Sequence, residues 1–173
     1  MRRPERQKTI RERVGWLREA IPGLTLRTTV IVGFPGETDD DFRAMLDLLE
    51  EISFERVGAF TYSVEEGTRA AEMDGRVPDD VMEERLEEVM ELQRGISFDR
   101  NLELVGSMTT VLVDQRVDDD PDFAGVGRTV GQAVDVDGVT HLRSGSPLSP
   151  GDMIEARIVE AMDYDLVAEV VEG

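Results

Sequence analysis

No cysteine occurs among the 173 residues of this chain. That absence excludes disulfides, thiolate zinc sites and cysteine nucleophiles. It also excludes any iron–sulfur cluster held by thiolates of this polypeptide. Long apolar runs are missing too: none approaches the ~20 residues of a membrane-spanning helix, so no membrane partner is expected. Met1-Arg2-Arg3-Pro4-Glu5-Arg6 has no apolar core behind it and does not read as a secretory signal, so a cytoplasmic setting is expected. Histidine occurs once, as His141, with no Ser, Asp or metal-ligand partner visible at motif spacing. It reads as a strand residue without a catalytic role. No Gly-Lys-Ser/Thr run follows a glycine loop, so a P-loop is excluded. Internal repeats and low-complexity tracts are absent.

What is present is acid. The net charge is −19, and it is unevenly spread. Residues 1–27 carry eight Lys/Arg against three Asp/Glu, a net of +5. Residues 28–106 carry seven against twenty-one, a net of −14. Residues 107–173 carry four against fourteen, a net of −10. Such a surface repels phosphate backbones and attracts basic partners. Solubility alone also explains a high net charge, so composition leaves both readings open.

The first hundred residues alternate between two periods. Ile10, Val14, Leu17 and Ile21 recur at helical spacing over residues 5–21, and Pro22-Gly23 ends that helix. Residues 24–34 close in a continuous apolar run, the mark of a strand buried on both faces of a parallel sheet. Pro35-Gly36 turns the chain. Thr38 is placed as an N-cap, with Asp41 in the capping-box position. Phe42, Met45, Leu46 and Leu49 give the following helix its apolar stripe. A second strand is expected over residues 56–63. Pro78 then opens a long helix with Met82, Leu86, Val89, Gln93 and Ile96 on one face. Helix–strand–helix–strand–helix is the rhythm of an α/β layer or barrel. Two parallel strands make no stable sheet by themselves, so neighbours outside this stretch are expected.

Composition changes near Gly106, where Val, Thr, Asp and Gly take over. Strands are expected at 109–114, 127–136, 139–142, 153–161 and 166–171, with Val111 and Val113 on one face. Asp137-Gly138 reads as a hairpin turn and Ser149-Pro150-Gly151-Asp152 as another. Five short antiparallel strands suit a small closed barrel of OB type. The expected fold class is therefore α/β followed by all-β, with domains at 1–102 and 103–173.

The stretch Leu26-Arg27-Thr28-Thr29-Val30-Ile31-Val32-Gly33-Phe34-Pro35-Gly36-Glu37-Thr38 resembles the fifth-strand segment of the radical S-adenosylmethionine methylthiotransferases. Met1-Arg2-Arg3-Pro4 resembles the start of the preceding helix in that family. Arg56 to Ser63 with Glu66-Gly67-Thr68 resembles the sixth strand and its loop, and Val77-Pro78-Asp79-Asp80 with Glu84-Arg85-Leu86 the last barrel helix. Val126-Gly127-Arg128, Val136-Asp137-Gly138-Val139, Pro150-Gly151-Asp152 and Tyr164-Asp165-Leu166 resemble a TRAM domain. Arg27-Thr28-Thr29, Val57-Gly58 and Tyr164-Asp165-Leu166 look like the branch that modifies the β-carbon of an aspartate in the twelfth small-subunit ribosomal protein.

The resemblance implies a fragment of an enzyme that uses S-adenosylmethionine and two 4Fe-4S clusters. Both cysteine sets of that family are missing here, so this chain ligates neither cluster through cysteine and is expected to be inactive alone. The barrel portion would be incomplete, and the TRAM domain would dock a basic ribosomal protein rather than RNA. The resemblance places Val32, Gly33 and Phe34, with Tyr62 from the second strand, at the cofactor. The residues themselves also allow a tight strand-to-helix turn and a half-buried tyrosine. Arg2, Arg3 and Arg6 read as a solvated helix face. Asp118, Asp119, Asp120 and Asp122 lack EF-hand spacing and read as a solvated loop. Asp135, Asp137, Asp163 and Asp165 fit either a receptor for basic side chains or ordinary turn aspartates. Two alternatives stand beside the main reading: a transfer-RNA adenosine methylthiotransferase fragment, and a stand-alone TRAM-type binding module.

Overall fold

The computed structural model describes residues 7–171. The tract Met1–Arg6, including Arg2, Arg3 and Arg6, lies outside the described residues. The chain forms two compact units, one ending at Ile96 and one starting at Ser97.

In the first unit the order is α1 (Gln7–Ala20), β1 (Arg27–Val32), α2 (Asp39–Ile52), β2 (Arg56–Thr61) and α3 (Asp79–Glu103), whose last residues run on into the second unit. The two strands pair in parallel, Arg27 opposite Arg56 through Val32 opposite Thr61. Helix α2 starts on the expected capping box: the Asp41 amide donates to the Thr38 hydroxyl, and the Thr38 amide donates to the Asp41 carboxylate. The Thr38 hydroxyl also donates to the Asp41 carboxylate (2.6 Å), and this bond first, the Thr38 amide second, holds the Asp41 carboxyl below its usual range. Helix α1 is tied down by Arg18, whose guanidinium donates to the carbonyls of Ile52 (2.6 Å) and Ser53 (2.9 Å) at the C-terminus of α2. A cation there satisfies orphan carbonyls and opposes the helix dipole.

One face of this sheet is covered and the other is open. Val30, Val32, Val57 and Ala59 pack with Phe42, Leu49, Ile52, Phe54 and Val89 into one core. Ile31 and Phe60, on the opposite face, are 39% and 61% exposed. The expectation of a strand buried on both faces is thus corrected. A two-stranded sheet with helices on one side has nothing among the described residues to cover the other.

The second unit is a closed barrel in the order β3 (Met108–Arg116), β4 (Gly125–Arg128), β5 (Thr140–Arg143), β7 (Leu166–Val170), β6 (Met153–Ala161) and back to β3. Val111, Val113, Leu142, Leu148, Ala156 and Ala168 fill it. Closure removes every sheet edge. The barrel is mixed, not all-antiparallel: β7 lies between β5 and β6, pairing parallel with the first and antiparallel with the second. That follows from the Greek-key return, which seats a later strand beside a non-consecutive one.

The expected strand over 127–136 shrinks to Gly125–Arg128, and Asp137-Gly138 is not the tip of a two-residue hairpin. Side chains take the backbone partners instead. The buried Gln132 carboxamide oxygen accepts from the Thr129 amide (2.9 Å) and the Thr140 hydroxyl (2.7 Å), and Asp137 accepts from the Ala133 amide (2.7 Å). Such local bonds compete with ladder pairing and leave an ordered loop. Gly138 instead permits a close backbone approach, since a Cβ there would lie 2.1 Å from the Tyr164 carbonyl oxygen. The unit boundary at Ile96/Ser97 falls inside α3, ahead of the expected 102/103. Asn101, 1% exposed, donates from the last turns of α3 to the Met162 carbonyl at 3.0 Å.

Gly138→Ala is expected to lower stability by about 2 kcal/mol through forced separation of the two turns. An unchanged urea midpoint would show that these turns are not packed as described.

Candidate functional site

A cavity of about 490 Å³ lies on the open sheet face at the carboxyl ends of β1 and β2. Thr29, Ile31, Phe34, Phe60 and Tyr62 line it, with Thr68 to Ala70 at its rim. The Phe34 and Tyr62 rings meet edge to face, 5.4 Å apart at 70°. The Tyr62 hydroxyl is buried and has no hydrogen-bond partner among the described residues. An apolar slot with one unsatisfied polar atom suits a flat, partly polar ligand.

The turn that carries Phe34 is fixed from behind. Gly33 has φ +77 and lies against α3, where a Cβ would fall 2.2 Å from Met82 Cγ. Its amide donates to Glu37 Oε1 (3.1 Å), which also accepts from Arg85 Nη1 (2.6 Å). Arg85 Nη2 donates to Asp39 at 2.7 Å, and the guanidinium sits 5.2 Å from the Phe42 ring centre. Arg85 is only 6% exposed. A buried arginine therefore joins the turn after β1, the first turn of α2 and the face of α3. Further along, the Glu37 amide donates to the Phe34 carbonyl and the Gly36 amide to the Gly75 carbonyl, both at 2.8 Å.

Of the four residues expected at the cofactor, Phe34 and Tyr62 line the cavity. Val32 does not: its side chain is fully buried on the helix side, and its carbonyl accepts from the Tyr62 amide (2.8 Å). Alternation along the strand puts Val32 opposite in sense to Ile31. Gly33 shapes the turn, its amide already engaged. Sequence reasoning passed over Ile31 and Phe60 as lining residues and Arg85 as the anchor. The signal for Arg85 was a lone arginine three residues after Met82, inside the apolar stripe of α3. At the rim, the Ser63 hydroxyl donates to Glu65 Oε1 over a long 3.4 Å. No cluster of metal-ligating side chains exists among the described residues.

The barrel carries Asp135, Asp137, Asp163 and Asp165 on two neighbouring turns. Asp165 accepts from the Val139 amide (2.7 Å) and Asp137 from the Ala133 amide. Asp135 is exposed, with φ 59, and Asp163 is exposed on the turn before β7. Elsewhere a groove of about 800 Å³ runs past Phe123, Asp120, Asp122 and Glu169. The Phe123 ring lies 4.9 Å from the His141 ring and 5.7 Å from the Arg143 guanidinium. His141 is a strand residue of β5, 3.9 Å from the Asp165 carboxylate. The 118–122 segment is an exposed loop.

Residues 105–171 match the TRAM domain family. The chain is 41% identical over 170 residues to the ribosomal protein uS12 methylthiotransferase RimO of Desulfitobacterium hafniense, covering 96% of this chain and 38% of that protein. The protein of the same name from Geobacter sulfurreducens is 42% identical over 171 residues, 99% of this chain and 38% of its own length. That from Pelotomaculum thermopropionicum is 46% identical over 162 residues, 91% of this chain and 35% of its own length. The chain thus spans a little over a third of the length of these relatives.

Removing Arg85 leaves Glu37 charged and buried without its partner, so Arg85→Ala is expected to cost about 3–5 kcal/mol, read by denaturant titration. Tyr62→Phe deletes an unsatisfied hydroxyl and is expected to melt at or above the parent temperature. A clear loss there would mean that the hydroxyl has a partner.

Proposed function

Since this chain is a homologue of the ribosomal protein uS12 methylthiotransferases and carries a TRAM domain, we propose that it is the C-terminal portion of such an enzyme, acting in the cytoplasm on a small-subunit ribosomal protein. The observation that carries the proposal is the uncovered face of the β1–β2 sheet. A parallel pair with helices on one side and an aromatic-lined cavity on the other is one section of a barrel wall, with its ligand side at the strand carboxyl ends. In this reading the complete enzyme adds the strands that flank β1 and β2.

S-adenosylmethionine, held against Phe34 and Tyr62, would supply the radical chemistry and the methyl group. The chain's part is to bind and orient. Phe34 and Tyr62 would offer apolar ring surface to the adenosyl group, and Ile31 and Phe60 would exclude water. Val32 and Gly33 act through backbone placement. The clusters themselves do not fit this chain, which has neither a cysteine nor another ligand cluster among its described residues. The barrel domain, on this reading, presents its acid surface, Asp135, Asp137, Asp163 and Asp165 included, to the basic protein substrate.

The transfer-RNA branch is disfavoured by the same charge: four arginines face fourteen carboxylates over residues 107–173. A stand-alone binding module keeps one observation in its favour, the closed barrel with a core of its own.

Two measurements test the proposal. Anaerobic incubation of this chain with iron and sulfide is expected to give no cluster absorbance and no methylthiolation of uS12. A reconstituted cluster spectrum would refute the assignment of both clusters to other parts of the enzyme. At physiological salt the chain is expected to retain uS12 and not transfer RNA in a pull-down. Preference for RNA would end the substrate assignment.

A further inference from the structure

Asp-Gly pairs occur at Asp74-Gly75 and at Asp137-Gly138. Such a pair is chemically labile in any peptide. The backbone nitrogen that follows an aspartate can attack that residue's own carboxyl carbon, and glycine, lacking Cβ, leaves the approach open. The reaction needs a carboxylate free to rotate and an amide free to give up its proton. The pairs differ in how far the fold allows this.

Asp137 is held. Its Oδ2 accepts the Ala133 amide at 2.7 Å, and Gly138 is pressed against the Tyr164 carbonyl oxygen, 2.1 Å from where its Cβ would lie. Asp74 is not. It is exposed in the loop between the short 3-10 helix Arg69–Glu72 and α3. Its carboxylate has no hydrogen-bond or ion-pair partner among the described residues. The Gly75 amide likewise donates to none of them, and only the Gly75 carbonyl is engaged, by the Gly36 amide at 2.8 Å.

We propose that Asp74-Gly75 is a modification site, where Asp74 converts to isoaspartate without an enzyme. The Gly75 nitrogen forms a bond to Asp74 Cγ, and the amide proton leaves with the carboxyl hydroxyl as water. The cyclic imide so formed takes up one water. Opening at its main-chain carbonyl routes the backbone through Asp74 Cβ and Cγ. No oxidant or reductant is consumed.

Position gives the change a consequence. The Gly75 carbonyl ties down the turn after β1, and a Gly75 Cβ would lie 3.3 Å from Gly36 Cα. Isoaspartate inserts a methylene into the backbone immediately before this tie. The tie is then displaced, and the turn that carries Phe34 loses its link to the loop leading into α3. An amide released in this way exchanges with solvent faster.

The test ages the 173-residue chain in neutral buffer and maps isoaspartate by peptide mass spectrometry with electron-transfer fragmentation. Isoaspartate is expected at position 74, and at position 137 about tenfold more slowly, the factor that local opening of a bonded, packed site imposes. In concentrated urea both positions are expected to react alike. Asp74→Glu, which would have to close a larger ring, is expected to abolish the first signal and to leave melting unchanged. Exchange of the Gly36 amide is expected to quicken in the aged parent and not in aged Asp74→Glu. No isoaspartate at position 74, equal native rates at both positions, or a difference that persists in urea would overturn the site. Isoaspartate at 74 with unchanged exchange at Gly36 would overturn the coupling to the β1 turn.

Discussion

Arg85 is the point on which the first unit turns. Its guanidinium fork holds Glu37 at the end of the β1 turn and Asp39 at the start of α2, while its own helix packs on the same core. A planar cation with several fixed donors is well suited to hold two carboxylates on neighbouring segments at once. Because Glu37 also accepts the Gly33 amide, the arginine sets the direction in which the chain leaves β1. That direction puts the Phe34 ring against Tyr62 and over the open sheet face. Cavity shape is thus a consequence of an ion network lying on the far side of the sheet.

The two units answer the problem of unpaired strand edges in opposite ways. The barrel closes on itself and hides its edges. The parallel pair does not, and its Ile31 and Phe60 remain in contact with water. Exposed apolar side chains beside an unsatisfied hydroxyl are unfavourable in isolation. The proposed reading of this sheet as part of a barrel wall gives both a role.

How much of this was legible depended on whether the signal was local. The capping box of Thr38 and Asp41, the inward Val111 and Val113, and the bounds of β6 all came from patterns a few residues long. Phe34 and Tyr62 as cavity residues came from resemblance, not from period or spacing. Val32, expected at the cofactor, turns its side chain into the core, because an apolar run hides which side chain faces which way until its neighbours are known. The mixed barrel and the short β4 were hidden for a related reason. Both depend on which distant segment competes for a backbone group: Gln132 draws in Thr129 and Thr140, and β7 inserts beside β5. The reach of α3 into the second unit was concealed by a change in composition that begins only after the helix has ended.

The aspartates of the barrel do not have to be either turn-formers or steering charges. Asp137 and Asp165 each accept a backbone amide, and a hydrogen bond of that kind does not neutralise a carboxylate. Its contribution to the field outside the protein is then much the same as that of a carboxylate in water. Within about 8 Å, the screening length at physiological salt, that field is set by the excess of carboxylates over cations and little by their local bonds. Electrostatics of this kind can choose the class of partner and hasten its arrival, but it is too diffuse to fix a register. Fixing one requires short-range contacts on a backbone that does not move. In the Gln132-braced loop the hydrogen bonds that shorten β4 also leave Val130, Val134 and Val136 in water.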